Sequence, residues 1–247
     1  MGDKHSFDSC FEVFLADTEE SRRIHYNLRY QVYCEEMGFE DKEQYPQQME
    51  FDEWDQHSAH FLVRHRYSGQ WLGALRVVYP HRDAFPFEEK SVLDRTLTTG
   101  QYAQSIEISR LCVVKEARRF APKNGVAHGS SGELDSKDGG NVRSFYDYKN
   151  QCRSIMWGLY RAAVVFSRDQ GIKNWFILVT PSLAHCVRRE GFEMRQVGGA
   201  CNHRGLRIPY TLDVDDILAN PFWNNGYQCD FRKFSELSVG VPLRQRA

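Results

Sequence analysis

The sequence predicts an α/β (α+β) fold, a mixed and mainly antiparallel sheet with helices on both faces, in one domain over residues 1–247. Three observations predict it. Short apolar or alternating runs recur along the chain, and most neighbouring runs are joined by links of hairpin length. Two longer stretches, Thr18 to about Met37 and about Ser144 to Arg168, repeat apolar residues at helical spacing. Composition is that of a globule with a sizeable core: 247 residues, 41% hydrophobic and 26% charged.

The elements follow in order. Phe11 to Ala16 reads as a first strand. Thr18, followed by Glu19, Glu20 and Ser21, is a helix start with acid in its first turn, and Gly38 is the stop. Arg29 and Tyr33 lie one turn apart beside that helix's apolar stripe, an arginine snorkelling over a tyrosine unless function holds it. An acidic loop from Glu40 to Gln56 carries Asp52 and Asp55 around Trp54, and Phe51 and Trp54 are expected to be buried anchors that turn the carboxylates inward. His60 to Tyr67 and Trp71 to Tyr79 form a hairpin around Ser68-Gly69, with Arg76 inside its second strand. A short helix is expected over Glu88 to Leu97.

Next comes the strand Ser105 to Val114, with Glu107, Ser109 and Arg110 in its middle. A mobile insert rich in Gly, Ser, Lys and Asp is expected at about 119–143, before the second long helix. Asn174 to Val179 reads as a buried strand and Pro181 opens a short helix. Phe192 to Val197 and Arg207 to Leu212 read as strands, and a C-terminal extension covers about 214–247 with a short helix at Val214 to Ala219.

Net charge is −1, which argues against a nucleic-acid or membrane-surface protein held by bulk charge. No apolar run reaches the ~20 residues of a transmembrane helix, and the first ten residues hold no apolar signal core. The seven cysteines are scattered without a CxxC pair, so neither a zinc site nor a disulfide framework is indicated; they read as reduced thiols in a cytoplasmic protein. His57, His60 and His65 lack ligand spacing and read as surface or satisfied histidines, so no metal is expected. Phe145, Tyr148, Trp157 and Phe166 read as core.

A carboxylate and a guanidinium three residues apart on a core-bound strand are expensive to bury without partners. Glu107 and Arg110 therefore read either as an ion pair on a wet face or as a catalytic pair. The pattern Leu28-Arg29…Tyr33…Phe39, Glu50-x-Asp52-x-x-Asp55, Gly73-x-x-Arg76, Ile106-Glu107-x-Ser109-Arg110 resembles the acyl-homoserine-lactone autoinducer synthases, a branch of the GNAT acyltransferase fold. The resemblance covers roughly the first half of the chain. Phe39 stands where those synthases usually have tryptophan, the basic insert is longer and the C-terminal half is larger. In these respects the chain is similar to the N-acyl amino acid synthases, above all to the exosortase-associated acyltransferases of bacteria with the PEP-CTERM sorting system.

The resemblance implies an acyltransferase moving a long-chain fatty acyl group from an acyl carrier protein, or coenzyme A, thioester to the amine of an amino acid. It implies a buried charged network of Arg29, Tyr33, Phe39, Asp52, Trp54, Asp55, Arg76 and Ser109 around Glu107 and Arg110. Glu107 is the candidate base, directly or through water, or else a clamp for Arg110. Backbone N–H groups near Cys112, Val113 and Val114, where strand pairing breaks in such folds, would polarise the thioester. Arg118 and Arg119 would meet the pantetheine phosphate or an acidic carrier. Val114 is followed by Lys115-Glu116-Ala117-Arg118-Arg119, without the glycines that let N–H groups close around a pyrophosphate, so a single-phosphate phosphopantetheine arm is expected as co-substrate and no tightly bound cofactor. Two other readings stay open: a homoserine-lactone synthase using S-adenosylmethionine, and a non-catalytic acyl-binding module.

Overall fold

The computed structural model describes residues 7–120 and 139–237. A turn of helix, α1 (Phe7–Cys10), leads into β1 (Phe11–Leu15), α2 (Glu19–Tyr30), β2 (Ser58–His65), β3 (Trp71–Val78), α3 (Thr99–Ala103) and β4 (Ser105–Val113). Then follow α4 (Gly139–Asp169), β5 (Asn174–Val179), α5 (Pro181–Arg189), β6 (Arg195–Gln196), β7 (Cys201–Asn202), β8 (Leu206–Asp213), α6 (Val214–Ala219) and β9 (Arg232–Lys233). The strands form a sheet in the order β6-β8-β5-β4-β3-β2-β1-β9, with β7 on β8. β4 with β5 and β1 with β9 run parallel, and the other pairs are antiparallel.

Helices cover both faces. Adjacent strand residues point to opposite sides of a sheet. On β2 the Phe61 ring meets Phe166 of α4 at 5.4 Å, while its neighbour His60 meets His25 of α2 at 4.6 Å. Gly73 on β3 serves the α4 face: a Cβ there would lie 3.2 Å from Ile155 and 2.8 Å from the Cys112 carbonyl, so the helix closes on the sheet only over a glycine. The main core lies between α4 and the sheet. A second cluster of Phe85, Phe87, Leu97, Tyr102 and Phe176 anchors the segment before β4.

α2 starts as its sequence demands, with the Thr18 hydroxyl accepting the Ser21 N–H at 3.2 Å. Its continuation differs from the expected α-helix: Gln31–Glu36 is π-helical, closed by bonds such as Met37 N–H to the Val32 carbonyl at 2.9 Å. Tyr33 lies in this π-helical turn, and its hydroxyl reaches the Leu111 carbonyl at 2.9 Å. The helix expected over Glu88 to Leu97 is absent; a 3₁₀ turn at Pro86–Glu89 and the short α3 take its place, because the aromatic cluster pins Phe85 and Phe87. The 192–197 strand shrinks to the two residues of β6. The last part of the insert expected at 119–143 belongs to α4, which begins at Gly139 rather than near Ser144; residues 121–138 lie outside the described residues. Trp157 and Phe166 are core, as expected; the side chains of Phe145 and Tyr148 lie outside the described part.

Candidate active site

The site begins with an irregularity in β4. Arg76 of β3 faces Ser109 and Ala74 faces Cys112, so Arg110 and Leu111 together oppose Leu75 alone. This is a β-bulge, and Arg110 takes a left-handed backbone at φ 50°. In a regular strand Arg110 would point away from the Ser109 face. The bulge turns it back to the side of Arg76, whose Nε donates to Ser109 Oγ at 3.0 Å.

Three arginines then alternate with three carboxylates in a closed ring. Arg29 bridges Glu50 at 2.5 Å and Asp55 at 2.6 Å. Arg76 bridges Asp55 at 3.2 Å and Asp52 at 2.5 Å. Arg110 bridges Asp52 at 2.8 Å and Glu50 at 3.2 Å, closing the circuit. The acids come from one short segment: Asp52 caps the 3₁₀ turn Glu53–His57, accepting the Trp54 N–H at 3.0 Å, while Asp55 accepts the Asp52 N–H at 2.7 Å. Burial alone would push Asp55 up, but a 3.0 Å hydrogen bond from His60 and the Arg29 and Arg76 guanidiniums hold it well below the usual carboxylate range. Behind it His60 and His25 are buried, and burial holds the pKa of each down.

Glu107 stands apart from the ring. It is 4% exposed and accepts the backbone N–H of Phe87 at 3.0 Å; among the described residues no ion pair joins it to Arg110. Burial raises its pKa to about 7 against the opposing Phe87 N–H and the charges of Arg76 and Arg110. The clamp reading of Glu107 is thus corrected: Glu50 and Asp52 hold Arg110.

Glu107 and Arg110 face a cleft of about 400 Å³. It opens where β4 and β5 part: their pairing ends at Ile108 opposite Ile177, while both strands continue. The break is nearer the strand's middle than the expected Cys112 to Val114. Cys112 is paired to Ala74 and the Val114 N–H donates to the Leu72 carbonyl at 2.9 Å, so neither is free for a ligand. The Leu111 carbonyl, turned away from β3, accepts the Tyr33 hydroxyl at 2.9 Å. Burial pushes the Cys112 thiol up to about 12, which makes it an inert core thiol.

Of the residues the sequence singles out, Tyr33, Phe39, Asp52, Trp54, Arg76, Glu107, Ser109 and Arg110 line this cleft. Arg29 and Asp55 lie behind it as ring members. Arg29 is fully buried rather than snorkelling, and its guanidinium stands over Tyr26, not Tyr33. Phe51, expected inside, is 53% exposed; Trp54 is half-buried and donates to Glu89 at 3.4 Å. Val114 lines a separate groove along α2, together with Leu28, Gln31 and Trp71. Arg118 and Arg119 end the 3₁₀ turn Lys115–Phe120, and their side chains lie outside the described part.

Sequence reasoning quotes Glu50 in the acidic pattern without naming it among the site residues, reads His60 as a surface or satisfied histidine, which it is as a buried partner of Asp55, and passes over Tyr160. It also misses the β7–β8 hairpin, where His203 and Arg204 of the turn and Arg207 of β8 line the cleft. Arg204 pairs with Glu40 and stands 6.0 Å from both the Tyr33 and Phe39 rings. No local pattern marks that turn; only the fold brings it to the cleft. Among the described residues no group of His, Cys, Asp and Glu could hold a metal ion, and no helix is long and apolar enough to cross a membrane.

Residues 28–124, the stretch that supplies every ring member and Glu107, match the family model of the acetyltransferase (GNAT) domain. The chain has the GNAT fold. Among solved structures it superposes on a CoA-dependent acyl-homoserine lactone synthase, BjaI, with MTA, at a TM-score of 0.61 and 16% identity, over 91% of this chain and 93% of that one. The AHL synthase LasI gives a TM-score of 0.54 at 16% identity, over 83% and 90%. FeeM, an N-acyl amino acid synthase from uncultured soil microbes, gives 0.49 at 9% identity, over 87% and 94%. No curated protein sequence matches the chain.

Proposed function

We propose that the protein is an N-acyltransferase that moves a long-chain fatty acyl group from an acyl carrier protein thioester to the amine of an amino acid, giving an N-acyl amino acid. The observation that carries the reading is Glu107: a buried carboxylate with a pKa near 7, at the cleft where two parallel strands part. Amide formation requires the attacking amine to lose a proton. A base with that pKa accepts it near neutral pH, whereas a carboxylate at its ordinary value would be a weaker base. The amine nitrogen bonds to the thioester carbon as its proton passes to Glu107; the carbonyl electrons move to oxygen and return as the pantetheine thiolate departs. The thiolate recovers the proton from Glu107. The ring, balanced in charge, holds Arg110 and Asp52 rigidly beside the reacting centre.

The homoserine-lactone reading has a specific observation in its favour, the superposition on LasI and BjaI at TM-scores above 0.5. Against it stands Arg204. S-adenosylmethionine carries a sulfonium cation, and the aromatic faces that would attract it, Tyr33 and Phe39, already face a guanidinium. An amino acid acceptor without a sulfonium or other side-chain cation suits that surface better. The similarity of the sequence pattern to the exosortase-associated acyltransferases points the same way. Lipid extracts of cells overproducing the protein, read by mass spectrometry, should contain N-acyl amino acids that an empty-vector control lacks. Acyl-homoserine lactones in their place would favour the second reading, and neither product would favour a non-catalytic acyl-binding module.

A further inference from the structure

The Tyr160 hydroxyl is an anomaly. Tyr160 lies on α4, is 5% exposed, and its hydroxyl has no hydrogen-bond partner among the described residues. Buried polar groups in folded proteins are nearly always paired, because an unpaired one forfeits its hydration without return. The residue also lines the cleft between β4 and β5, on the wall formed with Ile177, Val179 and Leu183. An unpaired donor inside an otherwise apolar wall matches a ligand that brings its own acceptor.

We propose that Tyr160 donates a hydrogen bond to the thioester carbonyl oxygen of the bound acyl donor. The assignment rests on the acyltransferase reading above. Its surroundings make it a donor: burial raises the hydroxyl's pKa, with Cys186 and Tyr33 adding to the effect, so the proton stays on oxygen. The apolar neighbours suit the acyl chain, and among the described residues none takes the hydroxyl's proton in a hydrogen bond. Tyr33, by contrast, is spent on the Leu111 carbonyl. As the amine nitrogen bonds to the carbonyl carbon, the C=O electrons collect on oxygen and the bond from Tyr160 strengthens. When the C–S bond breaks they return to form the amide carbonyl, and the tyrosine has lost no proton. An interaction that strengthens only as charge develops lowers the barrier and appears in kcat.

Tyr160→Phe tests this, since it removes one oxygen and keeps the ring. Its kcat should fall about ten- to a hundred-fold, more than KM for the acyl donor rises, and its ligand-free melting temperature should be equal to or above that of the wild type because an unpaired buried group is gone. Unchanged kcat, or a change confined to KM, would overturn the assignment. A second measurement uses a non-transferable acyl-pantetheine ketone, in which CH₂ replaces sulfur. It should raise the melting temperature of the wild type more than that of Tyr160→Phe; equal shifts would overturn the proposal. Failure of the acyltransferase reading would show separately, as a wild type that transfers nothing.

Discussion

Glu107 accepts the Phe87 N–H at 3.0 Å and takes no ion pair from Arg110, three residues further along the same strand. The bulge at Arg110 causes the separation: it delivers the guanidinium to Glu50 and Asp52 and leaves the carboxylate to a backbone donor and an apolar neighbourhood. A carboxyl raised from 4.5 to about 7 binds its proton more tightly in the folded state than in the unfolded one. Its contribution to stability is complete below about pH 4.5 and is lost as pH rises to about 7, a change of roughly 3 kcal/mol. Glu107→Gln should therefore unfold at a higher temperature than the wild type at pH 8, with the difference shrinking towards pH 5. Its kcat should fall by about 10²-fold or more. A variant less stable at pH 8 that keeps its kcat would make Glu107 a structural group.

The ring predicts unequal costs for its three acids. Glu50 and Asp55 hold the fully buried Arg29, so Glu50→Gln or Asp55→Asn should each destabilise by about 3–5 kcal/mol, the range for a buried charge that loses its partner. Asp52 is 28% exposed at its side chain, so water can solvate what its loss leaves unpaired, and Asp52→Asn should cost about 1 kcal/mol or less while activity falls. Urea unfolding of the three variants at pH 7 checks the ranking. Equal losses would deny that the ring closes as described.

On the acid side, the buried histidines act. Burial, ahead of every other influence, keeps His25 and His60 neutral, so in the folded state they resist the protons that an unfolded histidine takes up at about pH 6.5. These groups therefore make stability fall as pH drops through that value. His60→Gln keeps a donor for Asp55 and removes one titration. Its stability measured from pH 8 to pH 5 should decline less steeply than that of the wild type; parallel curves would exclude His60 as a source of the acid loss.

The β7–β8 turn predicts selectivity. Arg204→Gln removes the cation over Tyr33 and Phe39 and its pairing with Glu40. Binding of a cationic acceptor such as S-adenosylmethionine, followed by calorimetry, should tighten about 5- to 30-fold, the scale of a cation–π contact of ~1–2 kcal/mol. No change in affinity would remove Arg204 from acceptor discrimination.

The strand order and the charged residues of β3 and β4 were legible because alternation and the cost of buried charge are local signals. The bulge was not. Nothing in Ser109-Arg110-Leu111 announces a left-handed arginine, and so the apparent Glu107–Arg110 pair dissolves only in three dimensions. Phe51 misled because an aromatic residue in an acidic loop reads as an anchor, yet its ring lies on the surface against Tyr26 at 5.7 Å. Glu50 was visible in its segment, but only the 2.5 Å contact with Arg29 marks it as a ring member. Tyr160 and Arg204 come from distant parts of the chain and carry no pattern of their own.

The proposed carrier-protein donor is testable through charge. Arg118 and Arg119, within the 3₁₀ turn Lys115–Phe120 that follows β4, would speed encounter with an acidic carrier. With the carrier-bound donor, kcat/KM should fall steeply with salt, as the Debye length shortens from ~10 Å at 0.1 M to ~3 Å at 1 M. Charge reversal at both arginines should flatten that slope. Equal activity on coenzyme A thioesters, with the same weak response to salt, would contradict the carrier assignment.

The most direct measurement incubates the purified protein with a long-chain acyl carrier protein thioester and a mixture of amino acids, with and without S-adenosylmethionine, and weighs the products. N-acyl amino acids should form without S-adenosylmethionine and be lost in Glu107→Gln. An acyl-homoserine lactone formed only in its presence, or no product from either a carrier-protein or a coenzyme A thioester, would contradict the proposed function.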